Sequence, residues 1–303
     1  MTVFSLSGLP LLKVISRPFF LGASLFVSYF SVSQSYGRTL DPLPESCFRF
    51  SSEQDKGTGN NLTTTHFHAE LVGTGYSVDV STSVLKDHKN KLDSDALIRV
   101  NAAAAYGVLV AYHHDLPENC KNTAIPEINE VKDTLPEATW SNITMTKPDH
   151  SFHVKSVYFR IISTSPQIRA QIIAKGLHDT IYPLFPQNAS ADISMDPSTR
   201  LPFNFTINSL HTAIDDSQID GSGIVHAAGD LPNSFAKIHL SITEIGKLID
   251  HLSRVAPVKV TAAFLVARLM GDREPNHRTG WTVTLDNSKV RVNGKTLPIN
   301  FQH

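Results

Sequence analysis

The sequence predicts a β-rich α+β protein, with curved antiparallel sheets of amphipathic strands, a few covering helices and an N-terminal signal segment. Three observations predict it. Apolar and polar residues alternate over many short stretches, the period-2 mark of half-buried strands. One-face helical spacing is confined to a single stretch near the C-terminus. The first 37 residues differ in composition from everything after them. At 303 residues, 41% apolar and 18% charged, the chain has material for one large domain or two modest ones.

Lys13 and Arg17 are the only charged residues in positions 1–37. They precede the apolar run Pro18–Val32, and the small residues of SVSQSYG follow. Positive flank, apolar stretch and small-residue site form the export-signal arrangement, with cleavage points after Ser35 or Gly37. The run is shorter than the roughly 20 residues of a spanning helix. Left uncleaved, residues 18–32 would anchor the chain in the inner membrane; cleaved, the protein is periplasmic or secreted. Residues 38–303 hold 25 bases against 28 acids, so the basic footprint of a nucleic-acid binder is missing. Cys47 and Cys120 are the only cysteines. In an oxidising compartment they are a candidate disulfide, with two buried thiols as the alternative.

Along the chain, residues 38–61 are polar with prolines and glycines and read as a linker. A β-rich region over 62–138 and a β-rich domain over 139–303 follow. Tyr76, Val78 and Val80 alternate as a strand. So do Phe152 and Val154, after which the phase slips to Val157, Phe159 and Ile161; one extra residue, a bulge, is the expected cause. Asn101–Ala111 is apolar throughout and suits either a helix or a buried strand. Pro126–Leu135 suits a short helix with proline at its first position, and 177–188 reads as a loop. Leu201, Phe203, Phe205 and Ile207 mark one strand and Ile238, Leu240 and Ile242 another, with a turn or kink at Gly221–Gly223. Thr243 is the expected cap of a helix carrying Ile245, Leu248, Ile249, Leu252 and Val255 on one face. A second helix is expected over Thr261–Met270. Trp281, Val283 and Leu285 then pair with Val290 and Val292 across a turn at 286–288, and Asn293–Gly294 makes another tight turn.

Candidate chemistry is thin. His66 and His68 share a strand face at a workable metal spacing, and His113 and His114 supply further ligands if the fold brings them near. None of this has the spacing of an established zinc motif. Ser83 and Lys86 match the Ser-x-x-Lys pattern of acyl-serine enzymes without its companion elements. No metal and no cofactor is expected. The long apolar strand faces are more informative, since they suit either a closed core or a groove for an acyl chain. Phe203, Phe205, Ile238, Leu240, Trp281 and Val283 are the groove candidates.

The order Leu201-Pro-Phe-Asn-Phe-Thr-Ile-Asn, then Asp220-Gly-Ser-Gly, strand Lys237–Thr243, Glu244-Ile-Gly-Lys-Leu-Ile and Gly280–Pro298 resembles a family of uncharacterised alphaproteobacterial envelope proteins. That family is the domain of unknown function twenty-one twenty-five, with strands similar to those of AsmA-like proteins. The resemblance lies mainly over residues 200–300. The family's Asp-Gly hairpin is Asp286–Asn287 here, and residues 38–138 have no counterpart in the pattern. It implies an N-terminal membrane or export segment and amphipathic strands, and it supplies no catalytic residue. The resulting expectation is a non-enzymatic exported envelope protein whose partner is a lipid, another hydrophobic ligand or a membrane surface. Two alternatives stand beside it: a secreted hydrolase or metal-dependent enzyme built on the histidine-rich first half, and a structural scaffold with a protein partner.

Overall fold

A computed structural model describes residues 43–58, 61–86, 88, 92, 95–113, 117–120, 135–179, 186–197, 202–228, 232–256 and 258–296. The expected class is the one observed: β-rich α+β, with curved antiparallel sheets of amphipathic strands. The proposed signal, residues 1–37, lies outside the described residues. So does the short helix expected over Pro126–Leu135, apart from Leu135. The chain forms two compact units that part near residue 182 rather than at 138/139. The reason is pairing, because the strand that begins at Glu137 is bonded along its length to the one before it.

The N-terminal unit is an antiparallel meander of six strands: β1 (Phe48–Thr58), β2 (Asn61–Leu71), β3 (Tyr76–Lys86), β4 (Glu137–Lys147), β5 (His150–Ser163) and β6 (Ile168–Asp179). Residues 48–58, expected as linker, are an edge strand instead. An edge needs apolar residues on one side only and tolerates polar ones; Phe48 is buried against Tyr106 at 5.5 Å between ring centroids, and Phe50 stacks on Phe67 at 6.1 Å. The disulfide Cys47–Cys120 is formed and ties the start of β1 to the segment after the helix. Closing a loop of that span stabilises the fold by about 4 kcal/mol on the chain-entropy account.

Helix α1 (Ala96–His113) lies between β3 and β4 in sequence and packs on β1–β3. Every residue from Val100 to Leu109 is buried, which explains an apolar run without helical periodicity. One polar side chain in that run, Asn101, is fully engaged. Its Nδ2 donates to Ser83 Oγ at 2.6 Å, and its Oδ1 accepts from Trp140 Nε1 at 2.7 Å.

The phase slip in β5 is real: His150, Phe152 and Val154 are buried, then Phe159 and Ile161. It is not a bulge against a regular neighbour, since the β4–β5 register is unbroken and the β5–β6 register holds until Ile161. The other strands slip at the same place, from Phe67 to Thr64 in β2, Val80 to Ser83 in β3 and Ile143 to Trp140 in β4. The registers align His66, Ser81, Asn142, Lys155 and Gly176 in one transverse row. His66, Asn142 and Gly176, in alternate strands, have φ of 49°, 50° and 63°. From β2 to β6 each strand spends one residue on the step, so their mutual register is kept and the helix-facing side remains apolar on both sides of it.

The C-terminal unit pairs β7 (Asn188–Met195), β8 (Phe203–Ile214), β9 (Ser217–Ala227), β10 (Phe235–Thr243), β12 (Arg278–Asp286), β13 (Lys289–Val292) and β14 (Lys295–Thr296) in that order. Short β11 (Asp272–Glu274) also lies on β12. Gly221 and Gly223 lie inside β9 rather than in a turn. A Cβ at Gly223 would meet the backbone of β10, at 2.4 Å from the Lys237 carbonyl oxygen. The two tight turns are as expected, with positive φ at Asn287, Ser288, Asn293 and Gly294. Helices α2 (Ile245–Val255) and α3 (Val258–Met270) separate β10 from β11. Thr243 does not cap α2. It is still in β10, where its Oγ1 accepts the Gln218 N–H at 2.8 Å, and Glu244 turns the chain at φ 51°.

The apolar face of α2 packs with Ile214, Ile219, Ile242, Phe264 and Trp281 into one core. The last turn of α3 is fastened to the sheet. Trp281 Nε1 donates to the Ala267 carbonyl at 2.8 Å, and Asn293 Nδ2 donates to that of Met270 at 2.8 Å, satisfying carbonyls the helix cannot.

Replacing Asn101 by alanine strands the Trp140 N–H and the Ser83 hydroxyl in a dry interface. Urea denaturation should show the Asn101→Ala variant about 3 kcal/mol less stable than the parent. An unchanged midpoint would mean that water reaches both groups.

Candidate functional site: an apolar sheet face in the C-terminal unit

Period-2 alternation puts the groove candidates on one side of the C-terminal sheet, and the registers set them in rows. Phe205 lies opposite Val225, which is followed by Ala236 and Leu285. The next row is Ile207, Gly223, Ile238, Val283 and Val292, and the one beyond it Leu210, Gly221, Leu240 and Trp281. Helices α2 and α3 cover the end of this face around Ile219, Ile242 and Trp281.

The candidates therefore divide. Trp281 is 8% exposed and belongs to the core beneath the helices, with its indole N–H already engaged. Phe203, Phe205, Ile238, Leu240 and Val283 are half-buried, a contiguous apolar strip along the sheet. The two glycines flatten its middle. A Cβ at Gly221 would press on Leu240 at 2.9 Å, and one at Gly223 on Ile238. The strip offers area without a polar group to fix orientation, which suits a flexible hydrocarbon better than a shaped polar ligand.

The opposite side of the same sheet is polar and internally paired. His211 Nδ1 lies 2.7 Å from Asp220 Oδ1. Arg278 donates to Asp220 Oδ2 and, through Nε at 3.2 Å, to Ser241 Oγ. His239 Nε2 is 2.9 Å from Glu274 Oε1, and Glu274 reaches it by crossing Gly280, where a Cβ would collide with its carboxylate. His226 Nδ1 and Asn204 Oδ1 are 2.7 Å apart. Partial burial alone would raise the pKa of Asp220. Hydrogen bonds from His211 and Arg278, and their charges, outweigh it and hold the carboxyl below its ordinary range. Ser241 is bonded to the guanidinium of Arg278 rather than to a histidine, so the cluster is a network of ion pairs without the contact that activates a nucleophile.

In the N-terminal unit the sequence-level candidates are dispersed. His66 pairs with Glu53 at 3.1 Å and His68 with Asp79 at 2.6 Å, both in exposed positions. His113 packs against Tyr76 with centroids 4.8 Å apart, in the α1 layer. Asp79 and Tyr76, three residues apart in β3, point to opposite sides of the sheet, so His68 and His113 do not converge. His114 lies outside the described residues. Among the described residues no group of three or more His, Cys, Asp or Glu is placed to hold a metal ion. Ser83 is buried under Asn101, while Lys86 is exposed and pairs with Glu137 at 3.6 Å, so the Ser-x-x-Lys pattern assembles nothing.

One buried polar cluster escaped the sequence reading. His150 sits between Asp149 at 3.1 Å, Asp179 at 3.5 Å and the Tyr112 hydroxyl at 3.2 Å, and joins the last turn of α1 to β5 and β6. Tyr112, His150 and Asp179 are distant in sequence, and the fold alone brings them together. Among the described residues no helix is long and apolar enough to cross a membrane.

Comparison with protein-family models, with curated proteins and with solved structures finds no match for this chain.

Because the folded pKa of Asp220 is depressed, its contribution to stability is present above the unfolded carboxylate value near ~3.9 and lost as pH falls through the folded value. The Asp220→Asn variant should melt below the parent at neutral pH, and the two curves should converge under acid. A gap that persists in acid would assign the loss to packing instead of charge.

Proposed function

We propose that the chain is a non-enzymatic exported protein of the bacterial envelope that holds a lipid or another hydrophobic ligand on the apolar face of its C-terminal sheet. One observation carries this reading: the strip Phe203, Phe205, Ile238, Leu240 and Val283 stays half-buried while the helices close only one end of the face. A sheet face of this kind, left uncovered, costs about 25 cal/mol for each Å² of apolar surface kept in water. Export is supported by the segment Lys13–Gly37 and by a disulfide that suits an oxidising compartment. The strand pattern over residues 200–300 that resembles an envelope family points the same way.

The test is native mass spectrometry of the protein exported with its own leader, followed by organic extraction. A stoichiometric lipid or other hydrophobic adduct is expected, and the Ile238→Asp variant should lose it while keeping a cooperative melt. A bare polypeptide mass from gently purified protein would remove the ligand and leave a scaffold with a protein partner as the better account.

A further inference from the structure

Helix α3 is apolar over most of its circumference, interrupted by Lys259, Thr261 and Arg268, a pattern that ordinarily marks a largely buried helix. It is not fully buried. Ala263 and Phe264 face the core, and the Trp281 and Asn293 side chains fasten its last turn to the sheet. Its other side carries Val258 and Leu269 at 84% exposure, with Leu265 and Val266 also exposed. At about 100° per residue, Val258, Ala262, Leu265, Val266 and Leu269 fall within a stripe about 100° wide. Among the described residues these four large side chains are a majority of the seven exposed large hydrophobics, concentrated in one helix.

The charge around the stripe is one-sided. Helix α3 itself carries two bases, Lys259 and Arg268, and no acid, in a chain whose net charge is −1. Such a segment complements an anionic surface. A second copy of the same helix would bring base against base, so self-association through this stripe meets like-charge repulsion. A helix that presents an apolar stripe, basic residues and no acid of its own has the composition of one lying in the plane of a bilayer interface.

We propose that α3 is a membrane-docking helix, seating Val258, Leu265, Val266 and Leu269 at the headgroup–acyl boundary of an anionic phospholipid bilayer while Arg268 meets the phosphates. The proposal concerns the outer residues of α3 and none of the strip on the sheet, so either assignment can fail alone. Docking here would hold the C-terminal unit at the membrane independently of any contact made by residues 18–32.

The test uses the full chain with the Cys47–Cys120 disulfide intact and Leu269→Cys carrying an environment-sensitive nitrobenzoxadiazole label. Ser222→Cys, exposed on the polar sheet face, is the control position. Vesicles are phosphatidylethanolamine with phosphatidylglycerol, or phosphatidylcholine alone. The label at 269 should brighten severalfold and shift blue on the anionic vesicles, and nitroxide placed high on the acyl chains should quench it. The label at 222 should not respond. Arg268→Gln should weaken the response about fivefold, since each base near an anionic surface contributes roughly a fivefold gain. Three results would overturn the proposal. The protein sediments with vesicles while the label at 269 stays in water, which assigns membrane contact elsewhere. The label responds to protein concentration without vesicles, which assigns the stripe to a second copy. The response is equal on phosphatidylcholine, which removes the role of charge.

Discussion

Both units depend on the same constraint, that a helix leaving an antiparallel sheet between two neighbouring strands must return to the next one. β3 and β4 are bonded neighbours separated by α1, and β10 and β12 are bonded neighbours separated by α2, α3 and β11. An excursion with both ends on adjacent strands has to lie over one face, and that face becomes the core. In each unit the strand after the excursion carries a tryptophan whose indole N–H meets the covering helix: Trp140 at Asn101 and Trp281 at Ala267. These are the only tryptophans in the chain. A buried indole needs an acceptor, so each bond fixes the helix along its axis as well as over the sheet. The shared order of strands, helix and strands is a likeness of topology, and it gives the two halves the same mechanical logic.

The units then diverge in how they handle the rest of the face. The N-terminal sheet carries a transverse row in which each strand from β2 to β6 steps once, and α1 packs on β1–β3 with ten consecutive buried residues. Gly176 shows why the row is demanding. A Cβ there would come within 2.6 Å of the Lys155 Cβ, in a conformation L side chains seldom adopt. The C-terminal sheet has a longer apolar face than its two short helices cover. One side of it is a closed polar network and the other an apolar strip, so the sheet separates two chemistries across its thickness. That separation, more than any single residue, supports a ligand on the apolar side.

Much of this was legible in the sequence wherever side-chain period alone decides the outcome. The alternation of Ile238, Leu240 and Ile242, and of Trp281, Val283 and Leu285, placed β10 and β12 and put the strip on one face. The spacing of Ile245, Leu248, Ile249 and Leu252 gave α2. What stayed hidden depends on register or on third partners. Asp220 meets His211 and Arg278 only once four strands, β8, β9, β10 and β12, are aligned, and Glu274 reaches His239 only because Gly280 lacks a side chain. β1 was hidden because an edge strand can be polar. The step in β5 was visible as a phase slip, but its cause was not, since one strand cannot show that its neighbours slip too. The exposed side of α3 was hidden because its apolar residues, unlike those of α2, show no one-sided helical spacing.

The claim that most needs testing is that the strip on the C-terminal sheet meets hydrocarbon. Photolabelling of the intact protein with a diazirine-bearing fatty acid, followed by peptide mapping, addresses it directly. The account predicts adducts concentrated at Phe203–Ile207, Ile238–Leu240 and Val283–Leu285, saturable and displaced by unlabelled lipid. Adducts absent from all three strands, while other segments label at the same lipid concentration, would contradict it and identify the face as an ordinary closed core.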